Sequence, residues 1–399
     1  MKILLSFSLA IVFLVSPIPS NGQNIKSGTI LIDAGKKFGT IRPLNGGNLG
    51  PLSQYRALDL SDYFRELKIP ITRLHDVSGY DYNAVDIHTI FPDFRDDPAK
   101  EENYDFRQTD DYIAAIVNAG TEIVYRLGET IEFSPQPYYV IPPSDFDKWA
   151  EICCGIIRHY NEGWANGYHY NIKYWEIWNE PEGRPNWWAG TDEQFLELFG
   201  TAAKVFKKIF PDLKVGGPAF ASFTRKENDK VVAHPLPEKF LQFCKEQKIP
   251  LDFLSWHNYN TDPWDMAKKC TEARIVLDQK GFLKTESLLD EWNFLLNENW
   301  DLMTEIQGVP RENWYNGQLG PKGAAFVADE LMLLQDQPVD IANFYTVGSC
   351  EFGLYNLYGV PYKVFYGFKS FSELLETPLR IAALTNPADS IVVCAGTNA

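Results

Sequence analysis

Basic residues are in short supply. The 399-residue chain sets 37 Lys and Arg against 53 Asp and Glu, a formal net charge of −16 at pH 7. Nothing in that balance would neutralise a phosphate backbone, so nucleic acid is excluded as a partner. The same charge opposes docking on anionic membranes. Cysteine is also sparse: six residues at 153, 154, 244, 270, 350 and 394, with no C-x-x-C metal spacing and no pattern that reads as a disulfide framework. Cys153 falls on an apolar helical stripe with Trp149, Ile152, Ile156, Ile157 and Tyr160, which predicts a buried thiol. No G-x-G-x-x-G follows the first strand, and there is no phosphate-binding loop; Gly46-Gly47-x-x-Gly50, ahead of Pro51 and Leu52, reads as a tight turn. There is no nucleophile elbow, no Ser-His-Asp order and no H-E-x-x-H. No metal and no cofactor is expected.

Long apolar runs are missing too. The longest, Ile3 to Val15, is 13 residues, too short to span a bilayer. It follows Lys2 and precedes Ser20-Asn21-Gly22, whose small residues suit a cleavage site before Gln23. Residues 1–22 are therefore expected to be a signal peptide and the protein to be exported, secreted or periplasmic. No Cys follows the cleavage site, so no lipid anchor is expected.

Aromatic residues are plentiful, at 14% with 11 Trp and 20 Tyr. Part of that supply fills a large core; aromatic faces also stack on the C–H faces of sugar rings. After the leader, strand-like and helix-like stretches alternate. Strands are expected at Thr29 to Ala34, Leu44 to Gly50, Ile71 to Asp76, Glu122 to Leu127, Lys173 to Asn179, Leu213 to Gly217, Leu251 to Tyr259, Thr285 to Asn293 and Val339 to Val347. Helices are expected at Leu58 to Leu67, Arg107 to Asn118, Phe146 to Tyr160, Thr191 to Phe210, Glu238 to Gln247, Asp265 to Gln279, Gly323 to Leu334 and Tyr362 to Leu375. Counted from Leu44, eight strands each have a helix after them. That is an α/β chain organised as a (β/α)8 TIM barrel with enlarged loops, a fold that takes about 250 residues in its plainest form. A doubly wound sheet is the alternative. Two further strands, Leu379 to Leu384 and Ser390 to Ala395, cannot stand alone and are expected to pair with the strand at Thr29 to Ala34. The resulting divisions are 1–22, leader; 23–43, N-terminal strand segment; 44–376, barrel; 377–399, the start of a β-sandwich.

The chemistry concentrates at two strand ends. Lys173-Tyr174-Trp175-Glu176-Ile177-Trp178-Asn179-Glu180 stops at Pro181, which cannot continue a central strand, so Glu180 is read as the last strand residue. It ends the fourth strand of the barrel, and Asp290-Glu291-Trp292 ends the seventh. In a barrel both ends open on the C-terminal face. Two carboxylates facing across a cleft are the minimum equipment for hydrolysing a glycosidic bond: one protonates the leaving oxygen, and the other attacks the sugar or activates water.

These residues carry a specific likeness. Trp175 to Pro181, Trp187-Trp188-Ala189-Gly190-Thr191, Pro211 to Ala219, Trp256-His257-x-Tyr259 and Asp290-Glu291-Trp292 together resemble glycoside hydrolase family 39, the β-xylosidases and α-L-iduronidases of clan A, over about residues 40 to 376. The resemblance implies a retaining mechanism with Glu180 as acid/base and Glu291 as nucleophile. It implies Asn179 on the sugar 2-hydroxyl, and His257, Tyr259, His75, Arg73 and Trp292 among the substrate-binding residues. Arg73 is expected either to hold Glu291 ionised or to pair with Glu176 inside the barrel, and Tyr259 to reach Glu291. In the iduronidase branch a Lys stands two residues after the His; here that position is Tyr259, and no Lys or Arg lies between Leu251 and Ala267. A neutral glycoside is therefore expected, a β-xyloside first and an α-L-arabinopyranoside second, cleaved from chain ends. A non-catalytic glycan-binding barrel is the reading from another class. The family carries a complete sandwich after the barrel, so the sandwich is expected to be incomplete in this chain.

Overall fold

Eight parallel strands close on themselves. The computed structural model describes residues 26–53, 56–77, 83–301 and 307–398; the expected leader at 1–22 lies outside them. In chain order the strands are β1 (Ile30–Thr40), β2 (Gly46–Asn48), β3 (Ile71–Leu74), β4 (Glu122–Leu127), β5 (Tyr174–Ile177), β6 (Lys214–Phe220), β7 (Thr224–Glu227), β8 (Lys230–Ala233), β9 (Phe253–Asn260), β10 (Glu286–Phe294), β11 (Ile341–Phe344), β12 (Leu379–Thr385) and β13 (Ala395–Thr397). The barrel order is β2-β3-β4-β5-β6-β9-β10-β11, with β11 returning to β2, and each neighbouring pair is parallel. The chain is thus a (β/α)8 barrel.

Local chemistry sets the helices that wrap it. Thr191 and Gln194 form a reciprocal capping box that starts the helix Asp192–Ile209. Asp145 and Asp262 cap the helices Phe146–Asn161 and Pro263–Lys280 through their side chains, and Gly281, at φ 92°, ends the second. Phe146–Asn161 buries Trp149, Ile152, Cys153, Ile156, Ile157 and Tyr160 against the barrel, and the Cys153 thiol is buried as its stripe predicted.

β1 pairs antiparallel with β12, which pairs with β13; this three-stranded sheet is the extension formed by the terminal strands. β1 runs on to Thr40, past the expected end at Ala34, through register shifts between Asp33 and Gly39. The second tail strand is displaced. It was expected at Ser390 to Ala395 and pairs at Ala395–Thr397, because the turn Pro387–Asp389 and the left-handed Ser390 carry Ile391 to Val393 past β12 outside the ladder. Gly46 and Gly47 do not form a tight turn. They lie in β2, where a Cβ on Gly46 would stand 2.7 Å from the Ala342 carbonyl and 3.0 Å from that of Ile71. Glycine is what lets three strands approach there.

Among the elements that went unread are a hairpin and two helices, the shorter at Ile87–Ile90. The hairpin β7–β8 turns at Asn228 and Asp229, both at positive φ. The helix Val309–Gln318 lies within the connection after β10.

Candidate active site

β5 ends at Ile177, three residues before Glu180. Glu180 is therefore a loop residue and not the last of the strand. Trp178 and Glu180 are both left-handed, at φ 75° and 44°, with Asn179 between them. Such conformations cost on the order of 1–3 kcal/mol each for residues with a side chain, and persist where their surroundings over-determine them. Here the surroundings are explicit. Trp178 N donates to the Leu127 carbonyl, Glu180 N donates to the Ala219 carbonyl, and the Trp178 indole donates to the Trp187 carbonyl. The double kink turns Asn179 and Glu180 over the barrel mouth.

β10 carries a bulge. Leu289 pairs with Trp256 and Glu291 with His257, so Asp290 is an extra residue against β9. The β11 side agrees: Leu289 pairs with Ala342 and Trp292 with Phe344. A bulge lets two consecutive side chains share one face. Asp290 and Glu291 both point inward, to Arg73.

Arg73, from β3 and fully buried, ties the site together. Its Nε donates to Glu176 at 2.6 Å, its Nη1 to Glu291 at 2.8 Å and its Nη2 to the Asn179 Oδ1 at 2.7 Å. Both expected roles of Arg73 are thus occupied at once. The Tyr259 hydroxyl donates to the second oxygen of Glu291 at 2.7 Å. His257 Nδ1 lies 2.7 Å from Glu180 and 3.5 Å from Glu291. Oxygens of Glu180 and Glu291 stand within 4.8 Å of one another.

His75 is buried in the same mouth, against Asp76, with Arg73, Arg126 and His257 close enough to act on its charge. Trp292 departs from expectation. Beyond the bulge it faces outward, fully buried and edge-on to Phe344 in the layer between barrel and helices, where it offers no face to a sugar. The contacts of Asp76, whose carboxylate accepts from the Tyr345 hydroxyl at 2.7 Å, and of Asn48, whose side chain donates to the Asp290 carbonyl, were not read from the sequence. Nor was the aromatic wall in which Trp300 stacks on Phe352 and meets Tyr259 edge-on. No short motif marks any of these.

Burial pushes Glu180 up to about 7, with the Arg73 charge opposing it. Burial raises Glu291 as well, and a charge on Glu180 would add to that, while the Arg73 charge and the Tyr259 hydroxyl hold it down. One proton shared by the pair therefore rests on Glu180, and burial is the larger reason. Burial pushes His257 down to about 4 and His75 well below its ordinary value, so both are neutral at neutral pH. Glu182, two residues on and half-buried, is raised by burial to about 8. The Glu180, His257 and Glu291 donors are close enough for one small cation, as are those of Asp86, His88 and Glu129. In each group a guanidinium already stands on a carboxylate, Arg73 on Glu291 and Arg126 on Asp86, and opposes a second positive charge.

The sequence pattern of glycosyl hydrolases family 39 matches residues 30–282, more than half of the chain; it stops short of Glu291. The chain is 24% identical to a β-xylosidase of Caldicellulosiruptor saccharolyticus over 86% of its own length and 71% of that protein's. It is 23% identical to a β-xylosidase of Geobacillus stearothermophilus over 59% of its length and 48% of that protein's. In structure it resembles a glucosidase from Croceicoccus marinus, with a TM-score of 0.77 and 26% identity over 93% of this chain and 74% of that one. A β-xylosidase from Caulobacter crescentus, at 17% identity and a TM-score of 0.63 over 90% and 77% of the two chains, shares the fold. With that family match, and with relatives and solved structures that are glycosidases, the protein belongs to glycoside hydrolase family 39.

Proposed function

We propose that the protein is a retaining, exo-acting glycosidase of neutral glycosides, a β-xylosidase first, with Glu180 as acid/base and Glu291 as nucleophile. The observation that carries this reading is the placing of the two carboxyl groups, with oxygens within 4.8 Å. Retaining enzymes hold theirs about 5–5.5 Å apart, and inverting ones leave room for a water between. The Glu291 carboxylate attacks the anomeric carbon while Glu180 gives its proton to the departing oxygen, leaving a glycosyl ester on Glu291. Esterification removes the Glu291 charge, so Glu180 becomes more acidic and takes a proton from the water that cleaves the ester. Asn179 turns its Oδ1 to Arg73, which leaves its Nδ2 to donate to the sugar 2-hydroxyl. The absence of Lys or Arg from 251 to 267 favours a sugar without a carboxylate.

An aryl glycoside panel tests the reading, with β-xyloside, α-L-arabinopyranoside and β-glucoside arms, the last because the Croceicoccus marinus structure is a glucosidase. Turnover with retained anomeric configuration, seen by NMR, is the expected result. Glu291→Ala should lose activity and regain it with azide; activity unchanged without azide would sink the nucleophile assignment. Binding by calorimetry without turnover of any aryl glycoside would favour a glycan-binding barrel instead. A preference for internal cleavage of polymeric xylan would overturn the exo reading. We also propose export through residues 1–22; an N-terminus other than Gln23 on the exported protein would move the cleavage site.

A further inference from the structure

Below Glu180 and Glu291 lies a charge problem. Arg73 supplies one positive charge to three carboxyl groups, Glu176 at 2.6 Å, Asp290 at 3.0 Å and Glu291 at 2.8 Å. Arg73, Glu176 and Asp290 are fully buried, and neutral His257 adds no charge. Three ionised carboxylates on one guanidinium in a dry interior would be strongly unfavourable.

The unsatisfied atoms say where a proton belongs. Among the described residues Glu176 Oε1, both oxygens of Asp290 and His257 Nε2 make no well-aligned hydrogen bond, although Arg73 Nε stands 3.0 Å from Asp290 Oδ2 and the Ser255 hydroxyl lies beside the Glu176 carboxylate. Yet these atoms face one another. The Asp290 and Glu176 carboxyl groups are in hydrogen-bond contact, and His257 Nε2 stands 3.5 Å from Asp290 Oδ1. A proton on Asp290 satisfies all of them: the acid donates to Glu176, and its other oxygen accepts from His257 Nε2–H. His257 Nδ1 is then an acceptor, and it lies 2.7 Å from Glu180. The directions of titration agree. Burial, with Glu176 next, raises Asp290 well above its ordinary value, while Glu176, despite burial, is held below its own by the Arg73 charge. Arg73, Glu176, His257 and Glu291 are the titratable groups that face Asp290.

We propose that Asp290 is a protonated carboxylic acid in the working enzyme, a positioning residue that fixes His257 as the Nε2–H tautomer so that Nδ1 receives the proton of Glu180. It leaves the charge of Arg73 to Glu176 and Glu291. The bulge in β10 exists to bring this acid inward beside the nucleophile. The inference about tautomer and catalysis rests on Glu180 as acid/base; the protonation state of Asp290 does not.

Infrared spectroscopy of the free enzyme at pH 7 tests the protonation directly. One component of the protonated-carboxyl carbonyl stretch, beside those of the raised Glu180 and Glu182, should be present in the wild type and lost in Asp290→Asn, whatever the enzyme hydrolyses. If the wild-type and Asp290→Asn spectra match in that region, the proposal is overturned even should every glycoside assay fail. The second arm is kinetic. Asp290→Ala removes the acceptor for His257 Nε2–H, so the ring turns to its Nδ1–H tautomer and favours ionised Glu180. Its kcat/KM should fall about tenfold, the worth of a hydrogen bond to a charged group, and its alkaline limb should move to lower pH. Asp290→Asn, whose amide donates to Glu176 and accepts from His257, should restore most of the activity and return the limb. An Asp290→Asn variant that folds, judged by circular dichroism, yet falls as far as Asp290→Ala with the same limb would mean that ionised Asp290 is required, and would overturn the proposal.

Discussion

Glu180 shows what one residue costs and contributes. Its carboxyl titrates near 7 in the folded protein against an ordinary 4.5, because burial disfavours the charge. Below the ordinary value both folded and unfolded chains hold the proton, and nothing is lost. As pH rises from about 4.5 to about 7 the unfolded chain gives up its proton first, so stability falls; above 7 the penalty is constant at about 3 kcal/mol. The same shift keeps Glu180 protonated at near-neutral pH, as a general acid must be. Glu180→Gln removes the titration but keeps the shape. It should lose most activity toward glycosides with poor leaving groups, lose the alkaline limb of the pH profile, and raise the unfolding midpoint by more at pH 8 than at pH 5. Equal gains at both pH values, measured by thermal unfolding, would mean that the charge of Glu180 is not disfavoured in the fold. Much of this was readable beforehand. A Glu just before Pro181 announces itself, although the strand ends three residues earlier, and Arg73, His257 and Tyr259 follow from alternation along their strands. The dual grip of Arg73 and the role of Asp290 were not readable, since both depend on a bulge that no residue type marks.

At the scale of elements, the parts that read cleanly are those with local punctuation. Arg107–Asn118 and Glu122–Leu127 have their expected bounds because the amphipathic stripe runs into Gly120 and the alternation starts at once. The hairpin β7–β8 had a signal in Asn228-Asp229, which tolerates the two positive φ values of a type I′ turn, but its strands are short and polar. Val309–Gln318 is polar on most of its surface, so no apolar stripe betrays it. Trp292 failed for a different reason: it follows the inward Glu291 in regular pairing, so alternation alone turns it to the outer face. β2 makes the sharpest case. Its three residues sit between β11 and β3 with backbone on both sides of Gly46. Gly46→Ala should destabilise by about 1–3 kcal/mol, as overpacking does, in urea unfolding. Gly39→Ala, where an added Cβ meets nothing within 4 Å, should stay within about 0.5 kcal/mol. Equal effects would mean that β2 does not need the close approach.

The whole molecule joins an acidic surface to a barrel whose cysteines stay apart. All six are free, four of them buried and Cys350 and Cys394 half-buried. Among the described residues no helix is long and apolar enough to cross a membrane. Free thiols persist only where they are unreactive, and burial supplies that. It pushes the Cys153 and Cys270 thiols well above their ordinary value and Cys154 up to about 12, so almost no thiolate forms. The barrel and its helix layer, not cross-links, then carry the stability, as expected where eight strands close and leave no edge. Reductant should leave the unfolding midpoint unchanged, whereas loss of a native disulfide costs about 2–5 kcal/mol in small domains. A thiol reagent should label at most Cys350 and Cys394 in the native protein and all six after denaturation. A midpoint that drops in reductant, or fewer than six thiols in the denatured oxidised protein, would mean that a bridge forms and that the free-thiol arrangement is not the native one.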